Sequence, residues 1–149
     1  MNAARPEPPV PQSAAQTDFR YVLRLADTSL VLAQRLSRRL CEWCKDTYVP
    51  TDKDLHGAHW PFEDLGTPEH LWRAVGCRSC AHTGYRGRLA VNEVMPVTED
   101  IERLAVSHAS ASEIKKVAVA EGMVSLRDDG LRKVATGMTT LEEIIRVTV

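Results

Sequence analysis

The segment CEWC at residues 41–44 has a counterpart in CRSC at residues 77–80, and AHTGYRGR follows at residues 81–88. Each Cys-x-x-Cys pair can place two thiolates on one turn, and two such turns can complete the tetrahedral four-sulfur shell that structural zinc prefers. All four cysteines of the sequence lie in these pairs, so none remains as a lone nucleophile. The spacing therefore predicts a zinc site formed by Cys41, Cys44, Cys77 and Cys80.

Other interpretations of the cysteines carry less weight. Two disulfides would require an oxidising compartment, and the N-terminal residues 1–6 are not followed by the apolar core of a signal peptide. A redox dithiol usually occurs as a single Cys-x-x-Cys pair at the start of a helix. One histidine could still replace a thiolate, since four histidines lie in or beside residues 45–76: His56, His59, His70 and His82. A zinc ion held by four thiolates has no open position for water or substrate, so Lewis-acid catalysis is not expected.

The composition is that of an ordinary globular protein, with 149 residues, 44% hydrophobic and 26% charged. No apolar run approaches the length of a membrane span. The formal net charge of -1 gives no electrostatic reason to expect a nucleic-acid partner. Together with the cysteine usage, these features predict a cytoplasmic protein that is not directly inserted into a membrane.

The sequence before the first cysteine pair divides into two parts. Residues 1–17 contain four prolines and few large apolar side chains, which predicts a flexible lead-in. From Asp18 to Leu40 we predict a helix, because Leu30, Ala33, Leu36 and Leu40 recur at helical spacing. Three arginines beside them, Arg35, Arg38 and Arg39, could bind a phosphate or an acidic partner. We favour a solvated helix end whose cations also offset the negative charge of a four-thiolate centre.

The remainder is predicted to form a zinc module at residues 41–88 and a helical subdomain at residues 89–149. The module's aromatic residues should form a miniature core, because the metal substitutes for missing buried area. A short strand is predicted from Arg88 to Met95. Four helices should follow, with predicted N-caps at Thr98, Ser110 (with Glu113), Ser125 and Thr140 (with Glu143). The expected fold class is thus mainly α, with a small zinc-stabilised module and a short strand.

Three segments of the sequence resemble the C-terminal portion of the GspE/PulE/PilB family, the hexameric ATPases of type II secretion and type IV pilus assembly. They are AQRLSRRLCEWC, AVGCRSCAHTGYRGRLAVNEVMPV and EGMVSLRDDGLRKVATGMTTLEEIIRVT, and they occur in the family's order. The resemblance runs from about Ala26 to Val149. It implies zinc on Cys41, Cys44, Cys77 and Cys80, and a position after the nucleotide site of a RecA-like α/β ATPase. The predicted 18–40 helix would correspond to the end of the ATPase core.

The chain departs from the family at the nucleotide site. A family ATPase needs a G-x-x-x-x-G-K-[ST] loop to bind phosphate, and this sequence has no such loop and no Walker B segment. The resemblance therefore implies a non-catalytic zinc-binding module from a truncated or split family member, without autonomous ATPase activity and without catalytic or nucleotide-binding residues. ATP would be a ligand only of complete members.

Partners implied by the resemblance are ATPase subunits of a secretion or pilus motor and its inner-membrane platform, through which the protein could lie at the inner membrane. The alternative is an independent zinc-ribbon protein that binds nucleic acid or another protein. A salt-dependent affinity for DNA or RNA would favour that alternative.

Overall fold

In the part of the chain that the structure describes, five strands form two antiparallel sheets. The computed structural model describes residues 19–25 and 28–148, with side-chain surroundings from Leu30 onward. The larger sheet has the order β1 (Phe19–Leu25), β2 (Thr28–Leu40) and β5 (Tyr85–Val97), and the smaller one pairs β3 (Asp46–Tyr48) with β4 (Leu71–Arg73). The predicted lead-in at residues 1–17 lies outside the described residues. The strand predicted from Arg88 to Met95 is present as the middle of the longer β5.

The helix predicted from Asp18 to Leu40 is wrong, because this segment forms the hairpin of β1 and β2. Leu30, Leu36 and Leu40 are separated by even numbers of residues, so they fit the two-residue period of a strand as well as a helical one. Leucine, alanine and arginine have high helix propensity, yet β2 lies between β1 and β5 and pairs with both. Pairing with a strand far along the chain therefore overrides the local preference.

Six helices and one 3-10 turn, the latter at Arg78–Cys80, complete the described chain. The helices are α1 (Asp52–Gly57), α2 (Phe62–Leu65), α3 (Glu99–Val106), α4 (Ala111–Ala120), α5 (Leu126–Ala135) and α6 (Leu141–Val147). With two 13-residue strands in its larger sheet, the fold is α+β and not mainly α as predicted. Within residues 19–25 and 28–148, no helix combines the length and the apolar character needed to cross a bilayer.

The predicted helix starts are confirmed, with Thr98, Ser110, Ser125 and Thr140 each accepting a backbone N–H bond at an N-cap. The four helices do not form one cluster, however. The α3–α4 pair packs around Ile101, Ala118 and Met123 with the end of β5. The α5–α6 pair belongs to a different core, because it packs against the middle of the sheet. The helical subdomain is thus two helix pairs on one sheet.

The segment between the cysteine pairs shares its core with α5 and α6. Its buried residues Leu55, Trp60 and Leu71 lie in one cluster with Leu131 and Ile144. Of the aromatic residues predicted to form a miniature core, Trp60 is 4% exposed whereas Trp43 is 77% exposed. The expectation of a self-contained core is therefore wrong, and the region around the cysteines is continuous with the C-terminal helices.

Candidate metal centre

The four predicted cysteines come together at one point. Their Sγ atoms all lie within 4.8 Å of one another, and Cys41 and Cys80 are buried. The separations are 3.9 Å for Cys41–Cys77, 3.7 Å for Cys44–Cys80 and 3.8 Å for Cys77–Cys80. Tetrahedral zinc with bonds of about 2.3 Å holds its sulfurs about 3.8 Å apart, whereas a disulfide needs about 2.05 Å. The donor set and its spacing fit a tetrathiolate metal ion and not a pair of disulfides.

The first cysteine pair lies on a turn that directly follows β2. The Lys45 N–H donates to the Cys41 carbonyl at 3.0 Å, which closes the turn. The Cys41 N–H donates to the Gly84 carbonyl at 2.9 Å, so the first turn is bonded to the loop that follows the second pair. This backbone bond helps to bring two pairs that are distant in sequence to a common point.

The second pair lies on the 3-10 turn, where backbone N–H groups point at sulfur. Cys80 Sγ accepts from the Cys77 N–H at 3.1 Å and from the Gly84 N–H at 3.2 Å. Cys44 Sγ accepts from the Gly76 N–H at 3.3 Å. Donors of this kind stabilise negative charge on sulfur, which is the form that binds metal.

Gly84 occupies a position that requires glycine. Its φ is +76°, and a Cβ there would lie 2.5 Å from the Cβ of Ala74. A side chain would thus meet both backbone strain and a clash beside the N–H that donates to Cys80.

We expect Gly84→Ala to lower the free energy of unfolding of the metal-loaded protein by about 2 to 4 kcal/mol, from the left-handed conformation and from overpacking. Urea denaturation would measure it. The matched control is Gly57→Ala, because a Cβ at Gly57 meets no atom within 4 Å. Equal stability of the two variants would contradict this account of Gly84.

The thiols of Cys44 and Cys80 have unequal proton affinities. Burial, together with hydrogen bonds from the Cys44 thiol to neighbouring sulfurs, raises the pKa of Cys44 to about 12, against the effect of the Gly76 N–H. At Cys80 burial also opposes ionisation, but the N–H groups of Cys77 and Gly84 and the neighbouring thiols bring its pKa down to about 6. Cys80 thus favours the thiolate form, whereas Cys44 resists it. A divalent cation supplies the charge that would stabilise further thiolates, and its binding would release protons.

None of the four histidines belongs to the group of ligand atoms, although His82 lies beside it, with its backbone N–H donating to the Cys77 carbonyl at 2.8 Å. His59 Nδ1 is 3.3 Å from Arg127 Nη1, and the rings of His56 and His70 contact Phe62 and Trp72. Among the described residues, the one group of candidate ligand atoms consists of the four cysteines without a histidine.

The three arginines that precede the first cysteine pair contact mainly carbonyl and carboxylate oxygens and not the cysteine sulfurs. Arg35 Nη1 donates to the Val147 carbonyl at 2.9 Å, and Arg39 Nη2 lies 3.7 Å from Glu42. Arg38 pairs with Glu143 at 2.8 Å. Because these residues are part of β2, the interpretation of a solvated helix end is wrong, and Arg38 serves to neutralise a buried carboxylate.

Glu143 is the main residue that sequence reasoning misinterpreted. Its spacing from Thr140 predicted a capping box, and the Thr140 side chain does cap α6. The Glu143 carboxylate is buried and instead accepts bonds from Arg38 and Arg146. Arg146, three residues further along the same helix, was the available signal for this pairing.

The fold and the cysteine cluster define a small α+β protein with a candidate tetrathiolate metal site. The sequence profile of the family described as "Type II/IV secretion system protein" matches residues 20–146, and the chain belongs to this family. The resemblance found in the sequence is thereby confirmed.

The chain is similar to proteins of type IV pilus assembly and type II secretion. The type IV pilus assembly ATPase PilB of Myxococcus xanthus is 46% identical over 121 residues, which cover 80% of this chain and 21% of PilB. The type II secretion system protein HxcR of Pseudomonas aeruginosa is 42% identical over 118 residues, covering 79% of this chain and 21% of HxcR. The type II secretion system ATPase E of Vibrio cholerae is 42% identical over 119 residues, covering 79% and 23%. The chain thus spans about a fifth of the length of these relatives.

Proposed function

We propose that this chain is a non-catalytic, zinc-binding module of a type II secretion or type IV pilus assembly motor. The observation that carries the proposal is the convergence of four Sγ atoms within 4.8 Å, in a chain that belongs to the Type II/IV secretion system protein family. Zinc is the favoured metal because it binds four thiolates tetrahedrally at spacings like these. Cys41, Cys44, Cys77 and Cys80 are the proposed ligands.

The proposed role of the metal is structural. Four thiolates would fill the coordination shell, which leaves no position for a reacting water. ATP hydrolysis in the motor would come from a RecA-like nucleotide-binding region, because these 149 residues contain no Walker A loop. The module would then come after that region along the sequence of a complete motor subunit.

Metal analysis of protein purified under reducing conditions tests the proposal. We expect one zinc ion per chain, bound tightly enough to survive desalting. Protein of the same preparation that is correctly folded but contains no metal would refute it.

The sheet offers a surface through which such a module could contact the rest of a motor. Both helix pairs pack on the face of the larger sheet that carries Val91, Met95 and Val97. The opposite face, here called the open face, carries these apolar residues on β2 and β5: Leu30, Leu32, Leu36, Ala90, Val94 and Pro96. Leu36 is 51% exposed and Val94 43% exposed.

We propose that the open face docks on ATPase subunits of the motor. Among the β2 residues from Leu30 to Leu36 and the β5 residues from Ala90 to Pro96, none of those whose side chains lie on the open face is acidic. Apolar surface of this kind favours a protein partner.

The variant Leu36→Asp places a charge in this face and is expected to weaken binding to a family ATPase at least tenfold, as measured by surface plasmon resonance. The control Val106→Asp changes a side chain of α3 that is 75% exposed. Equal affinities of wild type and both variants would show that the open face is not the docking surface.

A further inference from the structure

One edge of β2 changes its partner shortly before the first cysteine pair. β1 pairs with β2 as far as Gln34, opposite Phe19. Further along, the backbone of β2 bonds to the connection between α5 and α6. The Leu40 N–H donates to the Met138 carbonyl at 2.8 Å, and Thr139 Oγ1 donates to the Arg38 carbonyl at 2.9 Å. The α5–α6 connection thus satisfies strand groups that would otherwise be unpaired.

α6 adds a charged contact at the same edge. The Arg38 N–H donates to Glu143 Oε1 at 3.0 Å, and Arg38 Nη2 donates to Oε2 at 2.8 Å. Both the N–H and the carbonyl of Arg38 are therefore bonded to this part of the chain. Thr139 is 0% exposed and Glu143 is 1% exposed, so water does not compete for these bonds.

The far side of the first cysteine pair contacts the same connection. Lys45 Nζ donates to the Gly137 carbonyl at 3.2 Å and lies 4.7 Å from the centroid of the Trp72 ring. The residues on both sides of the Cys41–Cys44 turn are thus bonded to four residues: Gly137, Met138, Thr139 and Glu143. We call these four the α5–α6 brace.

We propose that the α5–α6 brace is the positioning element of the first cysteine pair, so that it sets metal affinity at the cluster. This inference rests on the proposed metal-binding function. The brace contains no ligand, but it fixes the backbone that precedes Cys41 and the lysine that follows Cys44. Groups that orient ligands from outside the coordination shell typically change metal affinity by about 10- to 100-fold when removed. By linkage, metal binding in turn stabilises the position of α6.

Thr139→Val is the substitution that tests the brace, because it removes the hydroxyl that bonds to Arg38 and Ser37 and keeps the branched shape. We expect about tenfold or greater weakening of Co²⁺ affinity, measured on the full chain by competition with a chromophoric chelator. At saturating Co²⁺ the thiolate charge-transfer bands should match those of the wild type, since all four sulfurs remain.

Thr136→Val is the matched control. The Thr136 hydroxyl bonds only to carbonyls of its own helix, at Arg132 and Lys133, so its loss should leave Co²⁺ affinity unchanged. A folded Thr139→Val protein with wild-type affinity would overturn the brace and leave the metal site intact. Wild-type protein that binds no Co²⁺ would refute the metal site itself, and with it the brace.

If Thr139→Val fails to fold, hydrogen exchange on the wild-type protein tests the α5–α6 brace instead. Metal addition should slow exchange at Arg38, Leu40 and residues 141–147 more than at residues 99–120, which pack in the separate α3–α4 core. Equal protection of the two regions, or none at residues 141–147, would overturn the proposal.

Discussion

Replacing Cys41 with serine is expected to abolish tight metal binding and to unfold more of the chain than the cysteine region alone. Structural zinc contributes about 10 kcal/mol or more to the folding of small metal-binding modules. The sequence alone predicts that the loss of folded structure would be confined to residues 41–88. The structure extends it to α5 and α6, because Leu55, Trp60 and Leu71 share their core with Leu131 and Ile144.

Circular dichroism and hydrogen exchange, before and after addition of a chelator, would measure this effect. The chelator-treated wild type should resemble Cys41→Ser. Ser79→Ala changes an exposed residue within the second cysteine pair and should retain both metal and fold. A Cys41→Ser protein as stable as Ser79→Ala would show that the cluster contributes little to stability.

Glu143→Gln is expected to lower the free energy of unfolding by about 1.5 to 3 kcal/mol, the range for hydrogen bonds to charged groups. We take a value below the full cost of breaking a buried pair, because Arg38 and Arg146 are each about half exposed. The glutamine cannot attract both guanidinium groups, and it places two amide hydrogens where the carboxylate accepted bonds.

The pH dependence of this loss follows from the pKa of Glu143. Burial alone would raise it, but the bonds from Arg146 and Arg38 hold it down to about 2, below its ordinary value of 4.5. A lowered folded-state pKa gives stability that is fully present above about 4.5 and is lost as pH falls towards about 2.

The stability difference between wild type and Glu143→Gln should therefore be constant from pH 5.5 to pH 8, as measured by urea denaturation of the metal-loaded proteins. Glu142→Gln, at the exposed neighbouring position, is the control and should change stability little. A difference that disappears between pH 7 and pH 5.5 would mean that Glu143 is not held ionised by its arginines.

Local signals predicted much of this structure from sequence. Ser110 and Glu113 form the predicted capping box, and the four cysteines meet as their spacing indicated. In each case the residues that determine the feature are close in sequence, or share a chemistry that few arrangements satisfy.

The features that sequence did not predict depend on distant partners. β2 is held by β5, for example through Gln34 Nε2, which donates to Asn92 Oδ1 at 2.8 Å. Glu143 is buried because Arg38, far away in the sequence, pairs with it. The shared core likewise joins Leu71 to Ile144. A local pattern of apolar residues cannot distinguish these arrangements from a helix, a cap and a separate miniature core.

X-ray absorption spectroscopy at the zinc edge of the purified, reduced protein tests the central claim most directly, because it reports the atoms bound to the metal. We predict four sulfur ligands at about 2.3 Å and no nitrogen or oxygen ligand. A shell with fewer than four sulfurs, or a folded protein without a zinc edge, would contradict the assignment of Cys41, Cys44, Cys77 and Cys80 as its ligands.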